Sequence, residues 1–211
     1  MHAFNKAPMN DYLMPFLQSI PLTDDIRTDM ITLLTHHGCV KTVGHSIRVA
    51  AESVRLARRW GVDEMSAEVA GLLHDISAIV PNEQRVALAE RLGIEVLPEE
   101  RAFPMIIHQK LSAVIARDVF GVANEPVLSA IGCHTTLKAD ASALDKVVFV
   151  ADKIKWDQPG EPPYLPELLI AAEESLDAAA FCYLDYLWRR RDTLRVVHPW
   201  LIAAHMELAR Y

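Results

Sequence analysis

With 211 residues, 51% of them hydrophobic, the chain is long enough to bury one sizeable core and short for two, so a single domain over 1–211 is expected. A formal net charge of −7 excludes a nucleic-acid surface, which needs many cations against phosphates, yet leaves room for a small phosphorylated ligand met locally by metal ions. No apolar run approaches the roughly 18 residues of a membrane span and MHAFNKAPMNDYL is no basic-then-apolar leader, so a soluble, cytoplasmic protein without a membrane partner is expected.

Ala and Leu are plentiful, Gly is scarce and Val/Ile alternation is nearly absent, which predicts an all-α fold. Turn signals at Gly38, Gly61, Gly93, Gly121 and the Pro/Gly-rich stretch 158–166 divide the chain into nine or ten helices. Two short helices come first, one over 11–19 and one capped near Thr23 and Asp24 that runs to His37. Helix 41–60 has one apolar stripe at Val43, Ile47, Ala50, Val54 and Ala57 and a second at His45, Val49 and Leu56, so it is expected to be central and covered on two sides. A helix from Asp63 places Ala67, Ala70, Gly71 and His74 at i, i+3, i+4 and i+7, with small residues that let neighbouring helices come close below His74.

A polar helix over 82–92 and a loop containing Pro98 and Pro104 read as variable cover. Helix 105–120 puts His108, Leu111 and Ile115 on one face, helix 124–134 aligns Val127, Ala130, Ile131 and His134, and helix 144–154 sets Val148 and Phe149 in register with Asp152. Beyond Gly160 a C-terminal extension, 161–211, resumes as helices over 165–191 and 199–210, its aromatic residues reading as helix packing. Cys39, Cys133 and Cys182 are odd in number and too far apart for a zinc knuckle, which fits a reducing cytoplasm and buried thiols.

The chemistry lies in the order His45, His74-Asp75, His108, His134, Asp152, with 18 to 33 residues between successive members, one ligand-capable group per helix. Imidazole and carboxylate are costly to hide among apolar residues, and a divalent metal is the partner that suits both. Each group alone has a plainer reading: a buried hydrogen-bonded His–Asp pair, satisfied core histidines at 108 and 134, and Arg48 pairing with Glu52. The ordered set is what favours a metal-dependent hydrolase.

The stretches GHSIRVAAESVRLARRWG, AEVAGLLHDIS, IIHQKLSAVIARDVFG, VLSAIGCHTT and LDKVVFVADKI, spanning the motif core 41–154, resemble the HD superfamily of metal-dependent phosphohydrolases. More narrowly the chain is similar to the bacterial YqeK-type symmetrical diadenosine tetraphosphate hydrolases. The resemblance implies a compact HD-domain helical bundle with extra N- and C-terminal helices. It also implies a dinuclear centre in which His45, His74, Asp75 and Asp152 hold one metal while Asp75 bridges to a second held by His108 and His134. In this family the metals are commonly iron, whereas nitrogen and oxygen donors alone suit iron, manganese, cobalt or zinc equally. The implied reaction is attack of a metal-activated hydroxide on a phosphoanhydride, giving two ADP from diadenosine tetraphosphate, with Asp75 central to catalysis. Arg48 and Lys153 are candidates to steady phosphate oxygens, and Thr135, Thr136 and Lys138 to bind substrate.

Some positions depart from the family pattern. The superfamily's lysine three residues after His-Asp is Ala78, the glycine after His-Thr-Thr is Leu137, KWDQPG stands at 155–160, and Val43 and Gly44 replace polar residues before the first histidine. None is an inferred ligand, so the reaction class is expected to hold more firmly than the substrate. A phosphomonoesterase, a cyclic-nucleotide phosphodiesterase and a nucleotide-sensing protein without turnover stay open, as does a homodimer.

Overall fold

In the computed structural model, which describes residues 10–18 and 20–210, all regular elements among the described residues are helices. The first nine residues, to which the leader reading belongs, lie outside them, as does Ser19. Where a helix was expected over 11–19, the described residues form a turn and one 3-10 turn, Met14–Phe16. Pro15 accounts for this, because its ring would collide with the carbonyl four residues back and it has no N–H to donate.

Helix α1, Ile26–His36, is capped by Asp25, whose side chain accepts from the Thr28 N–H at 2.8 Å. The cap expected at Thr23 and Asp24 is thus displaced, and those two backbone N–H groups are bound by buried Asp29 at 2.7 and 3.0 Å. Helix α2, Val40–Trp60, stops at Gly61, where a φ of 68° is open to glycine. It buries His45, Val49, Ala50, Leu56 and Ala57 and packs against α3, Glu64–Leu73, and α8, Ala143–Ile154, as its two stripes predicted. The α2–α3 contact is close: a Cβ on Gly71 would lie 2.6 Å from Ala50 Cα and 2.9 Å from its nitrogen. Side-chain-free packing here lets the end of α3 lie against the middle of α2.

Two 3-10 turns, Ile76–Ile79 and Asn82–Gln84, lead into α4, Arg85–Arg91, so the helix expected over 82–92 divides. Part of the expected loop is helical: α5, Pro98–Ala102, starts on a proline and is closed by Glu100, whose carboxylate accepts from the Leu97 N–H at 2.8 Å. Helix α6, His108–Asp118, begins later than 105, and α7, Glu125–Cys133, follows it. Leucine and isoleucine side chains of α3, α6 and α7 meet Phe149 and Val148 of α8 in one apolar cluster.

The region after Gly160 breaks at Ser175 into α9, Leu165–Glu174, and α10, Leu176–Trp188, with the Ser175 side chain capping Ala178. Helix α11, Pro199–Leu208, packs on α10, which itself packs on α8. Tyr164, at the start of α9, meets Tyr183 and Tyr186 of α10 edge-on while those two stack on each other, as helix packing. No helix among the described residues is long and apolar enough to cross a membrane.

A buried polar knot ties α5, α6 and the start of α11 together. Glu100, fully buried, lies 2.9 Å from Lys110 Nζ and 3.4 Å from His198 Nε2. Burial pushes the Glu100 carboxyl up, but bonds from His198, the Leu97 N–H and Lys110 outweigh it and hold the pKa below the ordinary 4.5. A carboxyl depressed on folding stabilises fully above that 4.5 and loses its contribution as pH falls through the lower folded value. Glu100→Gln is therefore expected to cost about 2 kcal/mol in urea unfolding at pH 7, because half-buried Lys110 loses its counter-charge and keeps only the Glu95 carbonyl and the Trp200 ring. The gap to the parent chain should close in acid.

Candidate metal centre

Four imidazoles and two carboxylates converge from five helices. His45 comes from the inner face of α2; His74 and Asp75 follow the last residue of α3; His108 opens α6; His134 follows α7; Asp152 sits in the last turn of α8. His74 and His134 follow the C-terminal ends of their helices, where backbone carbonyls are free to accept, and His108 follows a turn that offers another. His74 Nδ1 faces Gly71 O at 2.8 Å, His134 Nδ1 faces Ile131 O at 2.8 Å and His108 Nδ1 faces Met105 O at 2.6 Å. His45 Nδ1 faces Lys155 O at 3.1 Å, at the end of α8. A carbonyl only accepts, so each Nδ1 carries a proton and each ring, when neutral, turns an Nε2 lone pair inward.

Those lone pairs crowd one another. His45 Nε2 lies 3.2 Å from His74 Nε2, and His108 Nε2 lies 2.9 Å from His134 Nε2. Asp152 Oδ1 is 3.0 Å from His45 Nε2 and 3.6 Å from His74 Nε2. Asp75 divides its carboxylate: Oδ1 faces His108 at 3.1 Å and His134 at 3.4 Å, while Oδ2 faces His74 at 3.6 Å and His45 at 3.9 Å. Facing lone pairs repel unless a cation sits among them, and donors about 2.1 Å from one first-row ion at right angles lie about 3 Å apart. Two subsets meet the spacing of a metal site, His45 with His74 and Asp152, and His74 with Asp75 and His134, each within 4.8 Å. The donor set fits divalent metal.

The charge balance agrees. Burial works against a charged His74, but Asp75 and Asp152 outweigh it and raise its pKa to about 9, so the cage by itself retains a proton. Burial pushes His134 down to about 4. Despite burial, Asp75 is held well below the carboxylate range, foremost by His74, and Asp152 is held there by Lys153. Two carboxylates among four imidazoles give the cage a preference for positive charge.

Second contacts fix the cage. Lys153 Nζ donates to Asp152 Oδ2 at 2.5 Å and to the His134 carbonyl at 3.2 Å. Ser77, in the turn after Asp75, donates to the His108 carbonyl at 2.8 Å and accepts from Ser112 at 2.9 Å. Gln109 Oε1 accepts from the Thr135 and Thr136 N–H groups at 3.0 and 3.3 Å.

The remaining candidates separate. Thr135 lines the cleft over the cage, its Oγ1 3.1 Å from His108 Nε2, and Lys153 lines it too, already paired with Asp152. Three expected positions lie outside the lining of that cleft. Thr136 is buried and donates to the Leu137 carbonyl at 2.9 Å, because Leu137 adopts a φ of 55° and turns the chain away. That left-handed conformation also explains why glycine is the family's residue there. Lys138, beyond the turn, donates to Ser129 at 2.7 Å and lies 3.8 Å from Asp145. Arg48 is exposed on α2 outside the cleft lining, and Glu52 pairs instead with Arg55 and Lys155, at 2.7 and 2.9 Å.

The cleft is further lined by Ala78, Arg85, Met105, Trp156 and Tyr183. Sequence reasoning missed Arg85 and Trp156. Arg85 lay in a stretch read as cover, and Trp156 was one of six residues read only as a departure from a motif. Gln109 had a signal that went unused, a polar residue on the inward face of α6 beside His108.

An all-helical bundle that gathers a histidine, a His-Asp pair and a distal aspartate into one cage defines a class of hydrolase, and the HD domain family model matches residues 42–157. The chain belongs to the HD domain family and is an HD-type hydrolase. It is 50% identical over 147 residues to a Lactococcus lactis subsp. cremoris protein described as "Uncharacterized protein in pepC 5'region", covering 70% of this chain and 74% of that one. It is 30% identical over 148 residues, 69% of this chain and 75% of the relative, to the symmetrical bis(5'-nucleosyl)-tetraphosphatase of Bacillus subtilis. A Clostridium acetobutylicum crystal structure, described as a "predicted HD superfamily hydrolase involved in NAD metabolism", superposes with a TM-score of 0.80 at 29% identity, covering 90% of this chain and 98% of that one.

Proposed function

We propose that this hydrolase cleaves phosphoanhydride bonds of nucleotides, with diadenosine tetraphosphate split symmetrically into two ADP. The observation that carries the reading is the divided carboxylate of Asp75, one oxygen toward His108 and His134 and the other toward His45 and His74. That arrangement suits two divalent cations, one held by His45, His74, Asp75 and Asp152, the other by Asp75, His108 and His134. Iron is the metal the family resemblance favours, and manganese, cobalt or zinc suit the same donors. When bound, such metals supply Lewis acidity toward phosphoryl oxygens and make a water nucleophile available near neutral pH.

The chain's own residues do the rest. The four carbonyl-anchored Nδ1–H groups lock every imidazole in the tautomer that presents Nε2, so no reorientation accompanies the reaction. Lys153 holds the Asp152 carboxylate and screens its charge from an incoming polyphosphate. Thr135 offers a hydroxyl at the cleft beside His108. In the overall reaction a water oxygen bonds to one inner phosphorus, the central P–O bond breaks, and the departing oxygen becomes the terminal phosphate oxygen of the second ADP. The substrate is a small nucleotide, and the net charge of −7 fits no nucleic-acid partner. Free cysteines at 39, 133 and 182 accord with a cytoplasmic location.

Metal-loaded protein incubated with diadenosine tetraphosphate is expected to yield ADP alone by anion-exchange chromatography. ATP with AMP, inorganic phosphate, or unreacted substrate would reject the symmetrical reading.

A further inference from the structure

Arg85 is a half-buried guanidinium that forms no close salt bridge among the described residues. Its Nε donates to the Val80 carbonyl at 3.2 Å and its Nη1 approaches Met105 Sδ at 3.8 Å; these are its side chain's only hydrogen bonds among the described residues, and Asp75, Cys39 and Glu83 act on its charge only at longer range. A guanidinium has five N–H donors in a rigid fork, so most of this fork has no protein acceptor. Partly burying such a group costs free energy unless an anion completes it. The side chain is also held in place, since the Nε bond ties it to the chain between the His-Asp turn and α4.

Its location says which anion. Arg85 lines the same cleft as Asp75, His108 and His134, and Asp75 is the carboxylate that most offsets the burial of its charge. Among the residues lining that cleft the other cation is Lys153, whose ammonium is spent on Asp152. Ala78 lines the same cleft with only a methyl group, leaving the space in front of the turn to the longer side chain. Arg48, Thr136 and Lys138 lie outside it. A planar fork with free donors at a metal cage matches a tetrahedral phosphate group bidentately.

We propose that Arg85 is a substrate-binding residue that clamps a phosphoryl group of the nucleotide, supplying the cationic contact that Ala78 lacks. The inference deepens the reading of the cleft as a nucleotide hydrolase site and rests on it. The test is calorimetric titration of the metal-loaded protein with ADP and, separately, with adenosine, using the parent chain, Arg85→Ala and Arg85→Lys at matched metal content and with melting curves taken for each. A charged hydrogen-bonded contact of this kind is expected to weaken ADP binding about tenfold or more in Arg85→Ala, with adenosine binding unchanged. Arg85→Lys, which keeps the charge but loses the fork, should recover part of the loss, and it carries the test alone if the alanine variant does not fold. ADP bound equally by all three proteins, or not bound by the parent chain, overturns the proposal. A parent chain that binds ADP through Arg85 yet leaves diadenosine tetraphosphate intact would instead remove the substrate reading and leave the phosphate clamp standing.

Discussion

Asp75→Ala is expected to abolish hydrolysis, with kcat down at least about a thousandfold, and to strip metal from the protein while leaving its helical content intact. The carboxylate faces all four imidazoles, within 3.9 Å of each, so its removal takes the shared acceptor from both halves of the cage. Metal polarisation of a phosphoryl group is worth several kcal/mol, and each 1.36 kcal/mol is tenfold in rate, which sets the size of the loss. The fold should survive because Asp75 stands at the cleft with its side chain 25% accessible. Metal content, product release and far-ultraviolet circular dichroism on one preparation check the three parts. Asp75→Asn sharpens the point: it keeps shape but not charge, and should fail almost as badly if negative charge at the bridge is what matters.

Gly71→Ala is expected to be the most damaging single methyl in the molecule. The added carbon would sit 2.6 Å from a backbone atom of α2, which cannot swing aside as a side chain can, so α2 and α3 must move apart. Overpacking of this kind costs about 3 kcal/mol, or a fall of about 6–12 °C in melting temperature for a chain of this size. The shift would also carry His74 away from His45, so metal affinity should fall with stability. Gly132→Ala is the matched control, because its Cβ would meet Ala113 Cβ at an ordinary 3.6 Å and alanine favours the helix. It is expected to be neutral or slightly stabilising. Equal melting temperatures for the two variants would show that the α2–α3 contact is not the constraint described.

The same contrast shows what could be read from sequence. The stripe Ala67, Ala70, Gly71, His74 announced a close helix contact beneath a polar residue, and α2 and α8 lie nearly where their periodicity set them, because an apolar face 12 or more residues long leaves little choice of packing. The convergence of the six donors was likewise visible as polar residues in apolar registers. Local exceptions were less legible. Pro15 broke one expected helix, Pro98 with Glu100 built one inside an expected loop, and the polar residue that caps α1 is Asp25. Sequence adjacency alone does not bring Thr136 and Lys138 to the cleft, since the left-handed Leu137, three residues after His134, turns the chain away from the cage. Arg85 was invisible for the opposite reason. It stands ten residues from Asp75 in sequence, and only the two 3-10 turns between them bring it back to the same cleft.

The most direct test is elemental analysis of the purified chain after incubation with excess iron(II) or manganese(II) and removal of unbound metal, beside His74→Ala treated identically. Two divalent ions per parent chain, and stoichiometric binding lost in His74→Ala, is the predicted outcome. A parent chain that emerges without stoichiometric metal, or a His74→Ala protein that keeps the full complement, would contradict it.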